Sequence, residues 1–180
     1  MIDTKTLAIG FNAISKKMSE KRMYLISLDQ QTGDGDLGIS MDNGFKAVSD
    51  VCCVNANTSD IGKLLFLAGK SFNEAAPSSL GTIISMLLID AAKQLKGAEK
   101  TTLADFGNIM HKSMNAIMEK LDSRLGEKTF FDSVVPAVKA LCDEAAVSDE
   151  QRLKNAAEAA RNGAESTRNM VAKHGRAAYF

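Results

Sequence analysis

"LDQQTGDGDLGISMDNGF", residues 28–45, joins two segments with helical periodicity through a loop that cannot be helical. Ahead of it, Leu7, Phe11, Ile14, Met18, Leu25 and Leu28 recur at spacings of three and four. That spacing predicts one long amphipathic helix from Asp3 to Leu28, with Asp3 as its N-cap. Beyond it, Ile39, Met41, Phe45 and Val48 provide the apolar face of a second helix that starts near Gly38. The joint carries three aspartates, Asp29, Asp34 and Asp36, with Gly33 and Gly35 among them. Like charges and helix breakers together mark a helix–loop–helix and raise the question of what the charges are for.

The same punctuation divides the rest of the chain. "NANTSD" (55–60) ends the second helix, and Ser59 or Asp60 caps a third, Ile61 to Phe72. "NEAAPSS" (73–79) is the next break, since Pro77 biases Ala76 away from helix. A fourth helix runs from Ser78 or Ser79 to Leu95 and is apolar on most faces, so it should be central. Thr101 or Thr102 opens a fifth, to Leu121, and "DSRLGEK" (122–128) is a loop. Thr129 with Asp132 resembles a capping box for a sixth helix, in which Pro136 should produce a bend. Ser148 with Gln151 forms another box, for a seventh helix ending near His174–Gly175. No segment alternates convincingly as a strand. The expectation is an all-α fold, an antiparallel up-and-down helical bundle or barrel of about seven helices in one domain, 1–180, because the connections are short.

Composition narrows the function classes. Lys plus Arg and Asp plus Glu balance at 22 each, so no basic field selects nucleic acid or an anionic membrane. No apolar run has the length of a signal peptide or a membrane span, and three cysteines without framework spacing fit a reducing, cytoplasmic setting. Of Cys52, Cys53 and Cys142, the vicinal pair Cys52–Cys53 has no nearby His or Cys and reads as buried structural thiols rather than a zinc site. His111 and His174 read as surface or capping histidines.

The aspartate loop has a bland reading, in which Asp and Gly simply favour turns. Against it, three like charges this close repel, and an oxygen-liganded divalent cation would remove the repulsion. Asp34 and Asp36, two apart in an extended segment, point to one side, and Asp29 at the end of the first helix can reach the same point. Gly38 then opens a helix whose N-terminal amides favour an anion. A Mg²⁺ cage beside an amide-lined anion site suits a nucleotide phosphate tail. A Ca²⁺ loop started at Asp29 would need Glu at its twelfth position, which is Ser40, and no GxxxxGK[ST] run exists.

Three blocks then carry a resemblance. The Asp-x4-Asp-x-Asp run of "LDQQTGDGDLGISMDNGF", "GEKTFFDSVVPAVKAL" (126–141) and "GAESTRNMVAKHGRAAYF" (163–180) resemble, in order, the L subunits of bacterial phosphotransferase-system dihydroxyacetone kinases, a DAK2-type, ADP-binding family. That resemblance implies a barrel of eight antiparallel helices holding ADP or ATP and two Mg²⁺. A phosphocarrier M subunit would rephosphorylate the bound ADP, and the phosphoryl group would pass to dihydroxyacetone held on a K subunit. Carried over by position, Asp29, Asp34 and Asp36 are the Mg²⁺ ligands. Leu37, Gly38, Ile39 and Ser40 would face the phosphates, with Leu37 standing where the family has His or Thr. Thr129 and Phe130 would meet the base or sugar. Arg176 matches the nucleotide-contacting arginine and would act as the catalytic cation.

The resemblance is incomplete in two places. Where the family has a Gly-Gly-Ala-Ser-Gly phosphate loop, this chain has "EAAPSSLGT", whose Ser78 and Ser79 either offer hydroxyls and amides to phosphate or only cap the fourth helix. The family also continues beyond the position of Phe180 into an eighth helix. The expectation that follows is seven helices, an apolar gap covered by a second copy in a homodimer, and an ADP that exchanges. Three functions are therefore expected: the kinase subunit that the resemblance implies, a non-catalytic regulatory relative that keeps the metal site, or a plain helical interaction domain with an acidic loop.

Overall fold

Five helices begin on a side chain that caps their own first turn. Asp3, Asp60, Ser78, Thr102 and Ser148 accept hydrogen bonds from the backbone N–H groups of Thr6, Lys63, Gly81, Asp105 and Gln151. They start α1 (Thr4–Asp29), α3 (Ile61–Ala75), α4 (Ser79–Gln94), α5 (Leu103–Lys120) and α7 (Asp149–Ser166). The caps left open by the sequence are thus Asp60, Ser78 and Thr102. Neither α2 (Leu37–Val54) nor α6 (Phe131–Leu141) has a capping bond from its N-cap side chain. The computed structural model describes residues 1–143, 145 and 148–179, and among these the fold is all-α. Two short 3-10 turns, Thr167–Asn169 and Arg176–Tyr179, follow α7, and the β-type pairing present is one isolated bridge between Ile2 and Thr101.

The chain divides into two compact units, Met1–Thr101 and Thr102–Phe180. In the first, α1 and α2 run antiparallel. Thr4 donates to the carbonyls of Ala56 and Thr58, Asn12 lies 3.3 Å from Ser49, and Gly38 lies against Arg22 and Ile26. Small residues permit this approach. A Cβ on Gly38 would stand 2.2 Å from the Arg22 carbonyl oxygen, and one on Gly44 would stand 2.5 Å from the Phe72 ring. Phe72 is fully buried in α3 and meets Phe45 edge-on at 5.0 Å. Helices α3 and α4 are antiparallel too: Gly62 abuts Ala92 and Lys96, and Ser85 Oγ donates to the Gly69 carbonyl at 2.8 Å.

In the second unit, Gly107 of α5 packs on Leu141 and Cys142 at the end of α6. Gly163 of α7 packs on Asp132 at the start of α6, and Ser133 Oγ donates to the Ala160 carbonyl at 2.9 Å. Pro136 lacks the N–H that would bond the Asp132 carbonyl within the helix. That carbonyl is where a Cβ on Gly163 would collide, at 2.3 Å.

Several expectations need correction. Ile14 and Leu28 of α1 are exposed, and Thr4, Phe11 and Ser15 form the buried stripe, because α1 meets α2 along the face that carries these three residues. Ile39 is exposed as well; it sits two residues, about 200° of helix, from buried Met41. Cys53 is exposed and Cys142 half-buried, so only Cys52 is a buried thiol, with burial pushing it up to about 12. Consecutive helical residues face different ways. Helix α7 stops at Ser166 rather than near His174, since Ser166 and Thr167 hydroxyls bond back to the Gly163 and Ala164 carbonyls and Met170 is extended. Among the described residues, no helix is long and apolar enough to cross a membrane.

Candidate functional site

Helix α1 ends on Asp29, whose carbonyl accepts the N–H groups of Thr32 (3.1 Å) and Gly33 (2.6 Å) and turns the chain back. The glycines of the loop then have specific tasks. A Cβ at Gly33 would stand 2.1 Å from Asp29 Oδ1, so only glycine leaves that carboxylate where it is. Gly35 has φ +79°, a conformation side chains disfavour. The result brings one carboxylate oxygen from each of Asp29, Asp34 and Asp36 within 4.8 Å of one another. Asp29 is half-buried and the other two are exposed.

The donor set suits a hard divalent cation. Oxygen ligands at about 2.1 Å from Mg²⁺ lie roughly 3–4 Å from each other, within a small side-chain adjustment of the arrangement found. Asp36 occupies the N-cap position of α2 yet makes no side-chain capping bond. That role passes to Asp29, whose Oδ2 accepts the Leu37 N–H at 3.3 Å. The Ser40 N–H bonds the Asp36 carbonyl. The amides of Gly38 and Ile39 lie between them in the first turn of α2, a position that favours an anion.

The remaining residues named from the sequence are distributed as follows. Ser78 accepts the Gly81 N–H at 3.1 Å, so its hydroxyl caps α4, while Ser79 is exposed on the first turn. The Ser78 N–H bonds the Ala76 carbonyl across Pro77 at 2.8 Å, a tight turn that a Cβ on Gly81 would obstruct at 2.1 Å. Thr129, Phe130 and Arg176 belong to the second unit. Thr129 Oγ1 accepts the Phe131 N–H, and Asp132 reaches back to the Thr129 N–H at 2.7 Å and to the Gly126 N–H at 2.6 Å. This is half of the expected capping box: the reciprocal bond from Thr129 goes to Phe131, because Phe130 already has helical angles.

Sequence reasoning missed Glu127 and Lys128. Glu127 is buried, and its Oε2 accepts the Arg124 N–H at 2.7 Å and lies 2.6 Å from His174 Nε2. The His174 bond, then the Arg124 amide, hold the Glu127 carboxyl below its ordinary value. Hence His174 is a partner of Glu127 rather than a helix cap. Lys128 adopts φ +59° and extends its ammonium to the carbonyls of Arg168 (3.4 Å) and Met170 (3.2 Å). A left-handed conformation at a residue with a Cβ costs about 1–3 kcal/mol and persists only where its surroundings hold it. The only available sequence signal was the position of both residues inside the "GEKTFF" block.

Known proteins resemble this chain in sequence and in fold. The DAK2 domain profile matches residues 31–180. The ADP-binding subunit DhaL of the PEP-dependent dihydroxyacetone kinase of Escherichia coli K12 is 29% identical over 164 residues, covering 90% of this chain and 78% of the subunit. The dihydroxyacetone kinase of Komagataella pastoris is 29% identical over 185 residues, covering 99% of this chain but 29% of the kinase. The chain therefore spans most of the separate subunit and under a third of the single-chain enzyme. Among solved structures, the dihydroxyacetone kinase of C. freundii, crystallised with AMP-PNP and Mg²⁺, matches with a TM-score of 0.76 at 20% identity, covering 91% of this chain and 29% of that one.

Proposed function

Because this chain belongs to the DAK2 domain family, we propose that it is the Mg²⁺- and nucleotide-binding subunit of a dihydroxyacetone kinase. Its relatives include dihydroxyacetone kinases and their ADP-binding subunits. The observation that carries the reading is the convergence of Asp29, Asp34 and Asp36 at the N-terminus of α2. The C. freundii kinase, which shares the fold, was crystallised with AMP-PNP and Mg²⁺, and this supports the choice of ligands.

In this reading Asp29, Asp34 and Asp36 hold Mg²⁺, one ion or two. The bound ion would supply charge neutralisation on the transferring phosphoryl group. Asp29 also fixes the first turn of α2 through the Leu37 amide, so metal and phosphate positions are set by one side chain. Gly38 and Ile39 offer amides to phosphate oxygens, with Leu37 and Ser40 alongside. Thr129 and Phe130 flank the base or sugar. Arg176 neutralises phosphate charge as the catalytic cation, a role suited to its planar fork of donors. Transfer of this kind needs positioning and charge more than a base. The acceptor is dihydroxyacetone on a K subunit, and an M subunit is the phosphate donor to bound ADP. The setting is cytoplasmic.

The test is a calorimetric titration of the chain with ADP, with and without Mg²⁺. Binding that requires Mg²⁺ and disappears in Asp34→Asn supports the proposal. Equal or absent binding in all cases rejects it. A second reading, a regulatory relative that binds but does not transfer, is favoured by the capping of α4 by Ser78 where the family's glycine loop would lie. Phosphate passing from an M subunit through this chain to dihydroxyacetone would exclude that second reading.

A further inference from the structure

The segment that follows α7 is tied, point by point, to the loop that precedes α6. Lys128 Nζ bonds the carbonyls of Arg168 and Met170. The Lys173 N–H bonds the Glu127 carbonyl at 3.3 Å. His174 Nε2 meets Glu127 Oε2 at 2.6 Å, and Lys173 Nζ approaches Glu127 Oε1 at 3.7 Å. Five polar contacts thus come from two consecutive residues. The loop side is itself held from within, because the Arg124 N–H fixes the Glu127 carboxylate and Asp132 fixes the Gly126 and Thr129 amides.

Both ends of this clasp lie next to residues proposed above to contact the nucleotide. Thr129 directly follows Lys128, and Arg176 lies two residues after His174 at the start of the last 3-10 turn. Gly175 between them has φ +68°, so the direction in which Arg176 leaves is set by a turn that begins at the clasped residue. The segment 170–176 has no regular helix of its own to hold it. Its position rests on side chains some 47 residues away in sequence.

We propose that Glu127, Lys128 and His174 are positioning residues, which hold the 168–176 segment against the 124–129 loop so that Arg176 and Thr129 are presented together to one nucleotide. The inference rests on the proposed nucleotide contacts of Thr129 and Arg176 and adds the means by which these two residues are held. These three residues touch no phosphate themselves. Glu127 and His174 act on the segment through their mutual bond, and Lys128 acts through two carbonyls.

The experiment uses the full chain with Mg²⁺ and ADP. Affinities are measured for the wild type, His174→Gln, Arg176→Ala and the double variant, while the Arg176 Nε–H resonance is followed by NMR. Thermal unfolding of each variant checks that the fold is retained, and Lys128→Gln, which leaves the Glu127–His174 bond in place, provides an independent second break of the clasp. The expected result is about a tenfold loss of affinity in His174→Gln, together with loss of the ADP-induced shift of the Arg176 resonance. The loss should add nothing further once Arg176 is alanine, since the clasp acts through that residue. Unchanged affinity in His174→Gln and Lys128→Gln would overturn the inference while leaving the nucleotide site standing. Fully additive losses, or an Arg176→Ala without effect, would overturn it also. A wild type that binds no Mg²⁺-dependent ADP removes the underlying reading first, and the clasp's role with it; that outcome is visible before any variant is made.

Discussion

Among the described residues, the loops 29–36 and 124–132 treat their carboxylates differently. In the 124–132 loop, Asp132 accepts two backbone amides, and Glu127 accepts one amide and the His174 ring. Both side chains are buried, and their charge is answered by donors from the protein. In the 29–36 loop, three carboxylates crowd within 4.8 Å, two of them exposed, and the N-cap position of α2 carries an aspartate that makes no capping bond. Closing a carboxylate with protein donors stabilises a fold. Bringing three together at a surface costs stability unless a cation answers them. That difference supports the proposal that the 29–36 loop binds a cation while the 124–132 loop is structural.

The same substitution should therefore have opposite signs in the two loops. Asp132→Asn removes one acceptor oxygen while two amides still point at the site, and it should cost about 1–3 kcal/mol in urea unfolding. Asp36→Asn, measured in chelator, should leave stability unchanged or raise it by less than about 1 kcal/mol, as repulsion falls. If both substitutions destabilise equally, the contrast drawn here is wrong.

Gly33→Ala sharpens the comparison without changing any charge. Its Cβ would overlap Asp29 Oδ1 and displace the carboxylate. Mg²⁺-dependent ADP affinity should fall about tenfold or more, read by calorimetry, since metal sites need ligands held to a fraction of an ångström.

A smaller effect is expected from acid. The Glu127 carboxyl is held below its ordinary 4.5, so its contribution is fully present above that value. It is lost as pH falls through the lower, folded value. The stability gap between the wild type and Glu127→Gln should narrow as pH falls below 4.5 in denaturant titrations. A gap that stays constant would show that Glu127 is not held by its charge.

The two loops also differ in how far the sequence reveals them. The aspartate loop is local: Asp29, Asp34 and Asp36 fall within eight residues, and the glycines that position them are their neighbours. Spacing alone was enough to pick out the cluster. The clasp is not local. Glu127 and His174 meet only because α7 ends at Ser166, where the seventh helix was expected to continue to His174. Hydroxyls bonding back to the preceding turn ended that helix, and periodicity carries no record of such a choice. Caps were legible because Ser, Thr and Asp perform them locally, and faces less so. Ile14 and Ile39 look apolar and inward in a list, yet which stripe is buried depends on the neighbouring helix. Gly38 and Gly44 let that neighbour approach closely, and nothing in their own segments says so.

The central claim is that the 29–36 loop is a metal–nucleotide site, and its most direct test is to watch the metal. Mn²⁺ in place of Mg²⁺ can be titrated into the chain with ADP, and free Mn²⁺ followed by its EPR signal. The account predicts that the wild type removes the free signal beyond what ADP removes alone, and that Asp34→Asn and Asp36→Asn do not. Equal uptake by the wild type and both variants, or none by any of them, would contradict it.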